Sequence, residues 1–121
     1  MPRQYKLYLK DILTCINHIE TYTKKMSYEE FCENQLVMDA VLRNLEIIGE
    51  AIKKLPEDVI NKKDYEWGMF ARMRDVITHF YFGIKSSIIW GIVKRNLPDI
   101  KRNVNELLQE PKKGLDKDFT I

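Results

Sequence analysis

Apolar residues recur at three- and four-residue steps along most of the chain, the spacing of amphipathic helices. The first run comprises Tyr5, Tyr8, Leu9, Ile12, Ile16, Ile19 and Tyr22. It predicts a helix of about five turns. Ser27 followed by Glu30 has the spacing of a capping box, so a second helix should begin there. An apolar stripe from Val37 to Leu55 predicts a long helix that ends before Pro56, where a short helical turn should follow.

Helical spacing returns after a polar connection over residues 61–66. The next predicted helix opens near Trp67, runs into the aromatic residues 80–82 and stops at Gly83. Ser86 or Ser87 is expected to cap another helix, and Pro98 suits the first turn of a final one. No alternating strand pattern competes. The fold class is therefore all-α, an up-down bundle of four main helices plus short helices.

Composition limits the kinds of protein this can be. A chain of 121 residues with 45% hydrophobic and 31% charged residues is typical of one soluble globular domain. Residues 1–110 form the expected domain, and residues 111–121, charged and containing Pro and Gly, a flexible tail. No apolar run approaches the roughly 20 residues of a membrane span, and the N-terminus lacks a secretory signal. Cys15 and Cys32 do not form a Cys-x-x-Cys pair, so we expect a reducing cytoplasm and neither disulfides nor zinc.

Charge is unevenly distributed along the chain. The net charge of +2 is too small to indicate a nucleic-acid binder. Residues 71–102, however, hold seven basic and two acidic residues, a local charge of +5, which leaves −3 on the rest. This asymmetry fits one face for a polyanion and another for a protein partner. A solvated helix surface with ordinary salt bridges is the alternative, and charge alone favours it.

Two histidines limit any imidazole chemistry to His18 or His79. His18 has no acidic neighbour four residues after it and is interpreted as a surface or satisfied histidine. Asp75 lies one helical turn before His79, where its carboxylate could accept a hydrogen bond from the imidazole and fix the tautomer. Arg74 is about 140° around the helix from His79, yet its long side chain could reach the same small anion.

An arginine beside an oriented histidine is a minimal phosphodiester site. Arg74 would neutralise phosphate charge, and His79 would transfer protons near pH 7. A core helix with a surface Arg74–Asp75 pair is the structural alternative, and the spacing alone favours it. Gly49 would allow a close helix approach or occurs there by chance. Trp67 and Trp90 could stack on bases, but packing is the favoured interpretation of both.

One further candidate is acidic. Glu46 and Glu50 stand one turn apart and resemble a carboxylate pair. Because their helix contains no histidine, a two-metal site is not expected there, and no other metal site is predicted.

The segment Arg74 to His79 resembles the Arg-x-x-x-x-His motif of the HEPN superfamily, and Tyr81 extends it to the Arg-x-x-x-x-His-x-Tyr form of the HepT branch. Residues 39–51 are similar to that family's second helix, and residues 67, 81–84, 90 and 97–98 also agree. The resemblance covers the chain from Lys6 to Leu108. Lys85 departs from it, because the family commonly has Asp there. This removes a capping candidate that Ser86 could replace, and adds a positive charge.

The resemblance implies the toxin of a type VII toxin–antitoxin system, a metal-independent endoribonuclease that needs no cofactor. It implies a helical homodimer that pairs with an MNT-type nucleotidyltransferase antitoxin, with larger heteromeric complexes left open. The antitoxin would transfer AMP to Tyr81. A non-catalytic HEPN module that holds a nucleotide or presents Tyr81 to its partner is the alternative, and a purely structural bundle is the third.

The implied reaction needs a base, an acid and a counter-charge, but each chain has one credible histidine. A two-fold dimer that apposes two motifs would supply two copies of His79 for proton transfer and two of Arg74 for charge stabilisation. Asp75 would orient His79. Tyr81 is expected to be exposed beside the cleft once the helix has ended near Gly83, with a core aromatic as the alternative.

Overall fold

The computed structural model describes residues 3–109, and the predicted tail at residues 111–121 lies outside them. Every regular element within that range is helical, which confirms the all-α prediction. The α-helices are α1 (Tyr5–Thr23), α2 (Tyr28–Glu33), α3 (Gln35–Lys53), α4 (Glu57–Ile60), α5 (Gly68–Phe80), α6 (Ser86–Gly91) and α7 (Leu97–Gln109). A 3₁₀ turn over Tyr81–Gly83 follows α5, and a π-helical segment over Ile92–Asn96 joins α6 to α7.

Four long helical units make up the bundle: α1, α3, α5 and the rod from α6 to α7. Helix α3 lies between α1 and α5 and packs extensively against both. Apolar residues at helical spacing form one core, which includes the fully buried Leu9, Ile12, Phe31, Leu45, Ile48, Phe70, Ile77 and Leu97. Within residues 3–109, no helix is both long and apolar enough to cross a membrane.

The start of α2 follows the capping prediction. The backbone N–H of Glu30 donates to Ser27 Oγ at 3.1 Å, and the N–H of Ser27 donates to Glu30 Oε1 at 2.9 Å. The expected cap on the later helix is wrong, because α6 begins at Ser86 with Lys85 as its N-cap and no side-chain capping bond. Instead, Ser86 Oγ lies 3.4 Å from Cys32 Sγ, so the hydroxyl faces α2 rather than its own helix.

Pro98 lies in the first turn of α7, as predicted, but no break precedes it. The N–H of Leu97 donates to the carbonyl oxygen of Ile92, a bond that spans five residues rather than four. Pro98 has no N–H to donate to Lys94 and would crowd that carbonyl in a regular α-helix. The wider π segment relieves this conflict and keeps the rod continuous.

Both tryptophans serve packing. Trp67 is buried and meets the ring of Tyr65 edge-on with centroids 5.0 Å apart. Trp90 is half-buried, and its ring lies 5.1 Å from that of Phe31. Trp90 therefore ties α6 to the short helix α2.

Candidate functional site

Helices α3 and α5 approach closely at Gly49, and this contact places Arg74. A Cβ atom built on Gly49 would collide with the Cβ of Arg74 and lie 2.5 Å from the carbonyl oxygen of Phe70. Any larger residue would have to push α5 away from α3. The interpretation of Gly49 as a close-approach position is therefore confirmed, and the neighbour is the candidate motif helix itself.

Three polar contacts, whose α3 residues are spaced about one turn apart, join the same two helices. They are Thr78 Oγ1 to Glu46 Oε2 at 3.0 Å, Arg74 Nη2 to Glu50 Oε1 at 3.2 Å, and Lys53 Nζ to Asp75 Oδ1 at 2.6 Å. The carboxylate pair of α3 thus binds side chains of α5. Among residues 3–109, no three His, Cys, Asp or Glu side chains cluster so that they could hold a metal ion.

Arg74 is held at both ends of its guanidinium group. Nη1 donates to Asp75 Oδ1 at 3.2 Å, and Nη2 donates to Glu50 Oε1 at 3.2 Å. The hydrogen bonds to Asp75 and then to Glu50 raise the pKa of Arg74, so its charge is permanent at any working pH. The side chain remains 29% exposed. Arg74 is therefore a positioned cation that solvent, and hence an anion, can reach.

Asp75 does not hold the imidazole with its carboxylate, and that expectation is wrong. Its carboxylate binds Lys53 and Arg74. Both cations lower the pKa of Asp75, and Lys53 has the larger effect. Two cations outcompete a neutral imidazole for a carboxylate because charge-assisted hydrogen bonds are the stronger ones. The backbone carbonyl of Asp75 does the orienting instead, since its oxygen lies 2.8 Å from His79 Nδ1.

His79 is exposed near the end of α5. Because a carbonyl oxygen can only accept, the bond to Asp75 requires the proton on Nδ1 of the neutral ring. Nε2 is then the unprotonated nitrogen, the form a general base needs. No hydrogen bond joins His79 to Arg74 within the part of the chain that the structure describes. Within one chain, both side chains bind Asp75, but they do not converge on a single site for a substrate phosphate.

Tyr81 is half-buried, whereas we expected it to be exposed. Helix α5 ends at Phe80, whose φ of −132° and ψ of 36° turn the chain out of the helix and aim Tyr81 back towards the core. Its side chain lines a cavity of about 250 Å³ beside Gln35 and Ser86. Burial, and then the hydrogen bond and charge of Asp39, raise the pKa of Tyr81.

His18 behaves as a satisfied surface histidine, as predicted. Its Nδ1 donates to Asn44 Oδ1 at 3.2 Å, and its ring stacks on Tyr22 with centroids 6.1 Å apart. The amide nitrogen of Asn44 in turn donates to the carbonyl oxygen of Ala40 at 2.8 Å. His18 therefore belongs to the packing of α1 on α3 and lies apart from the motif.

A large apolar groove, which sequence reasoning missed, runs between α5 and α6. Its volume is about 720 Å³, and Arg72 and Lys85 are charged residues in its lining. Three apolar side chains along it are strongly exposed: Val76 at 45%, Phe80 at 66% and Ile88 at 55%. The signal was present in the chain, because α5 carries apolar residues at positions 69, 73, 76, 77 and 80, a wider stripe than one buried face needs. We call this surface the α5–α6 groove.

An exposed, oriented histidine and a positioned arginine on the same helix of a helical bundle define a candidate phosphodiester-cleaving protein. Comparison with known proteins agrees. The family model "Ribonuclease HepT-like" matches residues 12–107. The chain belongs to the HepT-like ribonuclease family, and it is an RNA-cleaving enzyme.

Several curated relatives are more than a third identical. "Probable ribonuclease HepT" of Thermococcus cleftensis is 39% identical over 108 residues, covering 88% of this chain and 98% of that protein. "Putative RNase MJ0127" of Methanocaldococcus jannaschii is 40% identical over 112 residues, 91% of this chain and 93% of that one.

A second protein of M. jannaschii, "Gamma-glutamylcyclotransferase and putative RNase MJ0434", is 36% identical over 122 residues. All of this chain matches, but it spans only 55% of that relative's length. No solved structure matches the chain.

Proposed function

We propose that the protein is a toxin-class endoribonuclease that acts in the cytoplasm without a metal ion or other cofactor. Two chains would assemble around the scissile phosphate, and an MNT-type nucleotidyltransferase antitoxin would inhibit the enzyme by adding AMP to Tyr81. The observation that carries the proposal is that Asp75 binds both motif side chains. Its carboxylate holds Arg74, and its carbonyl leaves Nε2 of His79 as a solvent-facing base.

His79 and Arg74 support a proton-transfer mechanism on RNA. Nε2 of one His79 takes the proton from the 2′-hydroxyl, whose oxygen attacks the adjacent phosphorus. The bond from phosphorus to the 5′-oxygen breaks, and a protonated His79 of the second chain gives that oxygen its proton. Arg74 stabilises the extra negative charge of the phosphorane. The products are a 2′,3′-cyclic phosphate and a 5′-hydroxyl.

The second chain is needed because each chain supplies a single suitable imidazole. The α5–α6 groove is the surface on which we place the partner copy, since it is built from the motif helix and carries exposed Val76, Phe80 and Ile88. Burying such residues provides the hydrophobic free energy of association. A partner docked there would lie beside α5, the helix that carries Arg74 and His79, although the Arg74 side chain itself is directed towards α3.

Tyr81 is a suitable point for inhibition by AMP. Its hydroxyl lies close enough to Asp39 to hydrogen-bond, and the charge of Glu46 also acts on it. An attached adenylate would introduce a phosphate beside these two carboxylates. Repulsion would then displace the 3₁₀ turn that follows His79, and the added negative charge would oppose RNA binding.

Cleavage by the purified protein tests the proposal. A labelled RNA is incubated with the wild type, Arg74→Ala and His79→Ala in the presence of EDTA, with His18→Ala as the matched histidine control. We expect the wild type and His18→Ala to release products ending in a 2′,3′-cyclic phosphate. Both motif variants should lose at least 100-fold in rate, the scale of a general acid–base contribution. Full activity in His79→Ala, or a requirement for Mg²⁺, would contradict the mechanism.

A further inference from the structure

A second polar cavity opens beside Arg74, on the side of α3. Its volume is about 340 Å³, and it is lined by Glu50, Lys53, Lys54 and Arg74. A smaller cavity of about 110 Å³ shares Glu50 and Lys54 with it and continues to Tyr8 on α1. The two cavities therefore lie side by side near the C-terminal end of α3.

The charges in this cavity do not cancel. Three cations line it against the single carboxylate of Glu50, and that carboxylate binds Arg74. Lys53 is paired with Asp75 just outside the lining. Lys54 pairs with no carboxylate within residues 3–109, and its ammonium lies 5.9 Å from the centre of the Tyr8 ring. At least one full positive charge is thus left for an anion from solution.

Hydrogen-bond donors are left over as well. A guanidinium group has five N–H bonds. Arg74 uses one on Nη1 and one on Nη2 for Asp75 and Glu50, and its buried Nε finds no partner in the described part of the chain. The ammonium groups of Lys53 and Lys54 carry three donors each. Lys53 commits one of these to Asp75 at 2.6 Å.

We propose that Lys53, Lys54 and Arg74 form a binding subsite for a backbone phosphate of the RNA, adjacent to the phosphate that is cleaved. This proposal rests on the proposed function, because it takes RNA as the substrate and Arg74 as part of the cleavage site. A phosphodiester carries one negative charge and two acceptor oxygens, which matches the unbalanced charge and the spare donors. Cationic grooves that follow the backbone in this way bind RNA without reading its sequence.

Lys54→Gln tests the subsite without disturbing the ion pairs of Lys53 and Arg74. Lys25→Gln is the matched control, because Lys25 is an exposed lysine just beyond the opposite end of α1. Both changes are made in the His79→Ala protein, so that an RNA oligonucleotide is bound but not cut. Binding is followed by fluorescence anisotropy over a series of salt concentrations.

We expect Lys54→Gln to weaken binding about 3- to 10-fold and to reduce the slope of log K against log salt by about 0.7, the value for one phosphate contact on a single strand. Lys54→Arg should retain both the affinity and the slope. Lys25→Gln should leave both unchanged. Equal slopes for Lys54→Gln and Lys25→Gln would overturn the subsite.

Substituted RNA then locates the contact. In a set of oligonucleotides, each carries one uncharged methylphosphonate linkage at a different position. One position should remove the difference between the parent protein and Lys54→Gln, and a difference that survives at every position overturns the proposal. If the wild type cleaves RNA but Lys54→Gln binds RNA as tightly as the control, the subsite is refuted and the proposed function is not. RNA neither bound nor cleaved would refute the proposed function too.

Discussion

Nδ1 of His79 lies 2.8 Å from the backbone carbonyl oxygen of Asp75. The main chain of α5, rather than a side-chain carboxylate, therefore sets the tautomer of the imidazole. The carboxylate of Asp75 is free for another task and joins Lys53 and Arg74. Because the backbone carbonyl of Asp75 orients His79 and its carboxylate binds Lys53 and Arg74, a side-chain substitution can test the second role without altering the first.

Asp75→Asn should lower kcat/KM about 3- to 10-fold and leave the pH profile of cleavage unchanged. The amide weakens the hold on Arg74, whereas the carbonyl that orients His79 is unaltered. Rates of the two proteins across pH 5 to 9 check this. A shifted pH optimum in Asp75→Asn would show that the carboxylate, contrary to the structure, acts on the imidazole.

The same variant makes a prediction for stability. Lys53 and Arg74 lower the pKa of Asp75 below its ordinary value of 3.8. A carboxyl group whose pKa is lower in the folded than in the unfolded state stabilises the fold at any pH above its unfolded pKa. That stabilisation is lost as the pH falls through the folded-state pKa. Wild type should therefore exceed Asp75→Asn in stability at pH 6, and the gap should close below pH 3.8. Urea unfolding at several pH values measures the gap, and a gap that widens in acid would contradict the assignment.

Gly49→Ala should destabilise the fold by about 1–3 kcal/mol, the cost of overpacking, although alanine is the better helix former. The added methyl group collides with the Cβ of Arg74 and with the carbonyl of Phe70. Gly83→Ala is the control, because a Cβ there meets no atom within 4 Å. Denaturant unfolding compares the two, and equal destabilisation would show that the close approach at Gly49 is unimportant.

Ile88→Glu should produce a folded monomer that has lost cleavage activity. Ile88 is 55% exposed in the α5–α6 groove, so a carboxylate there costs a single chain little, whereas in a dimer it would have to leave water for an apolar interface. Leu36→Glu is the control, since Leu36 is 81% exposed and lies outside the groove lining. Light scattering after gel filtration reports the mass. A dimeric Ile88→Glu protein, or a monomeric wild type that cleaves RNA, would count against our placement of the partner.

Tyr81→Phe should cleave RNA at close to the wild-type rate yet escape the antitoxin. The ring still packs in its cavity, but the oxygen that would accept AMP is gone. Mass spectrometry after co-expression with the neighbouring nucleotidyltransferase should find an adenylate on the wild-type Tyr81 peptide. Tyr22→Phe, at an exposed tyrosine on α1, should still be modified and inhibited. Adduct formation at another residue in Tyr81→Phe would refute this assignment.

Local patterns predicted the local features. The apolar spacing established an all-α chain, and Ser27 with Glu30 marked a helix start, because both signals depend on residues within a few positions of each other. Gly49 was interpreted as a close-approach position, with chance as the alternative, because glycine weakens a helix unless a neighbour needs the space. Only the structure showed that this neighbour is Arg74. Ser86 failed as a cap because its hydroxyl found Cys32 on another helix.

The sequence by itself determined the helical class, the Arg74–His79 motif and, through its resemblance, the family. Only the tertiary structure decided the partners of the motif side chains. Asp75 could have bound His79, but α3 places Lys53 within 2.6 Å of its carboxylate, and the stronger charge-assisted bond prevails. The α5–α6 groove and the cavity beside Arg74 likewise exist only where separate helices meet. The spacing of residues along one helix does not show which charged residues a neighbouring helix places against it, so the sequence pattern could not predict these two sites.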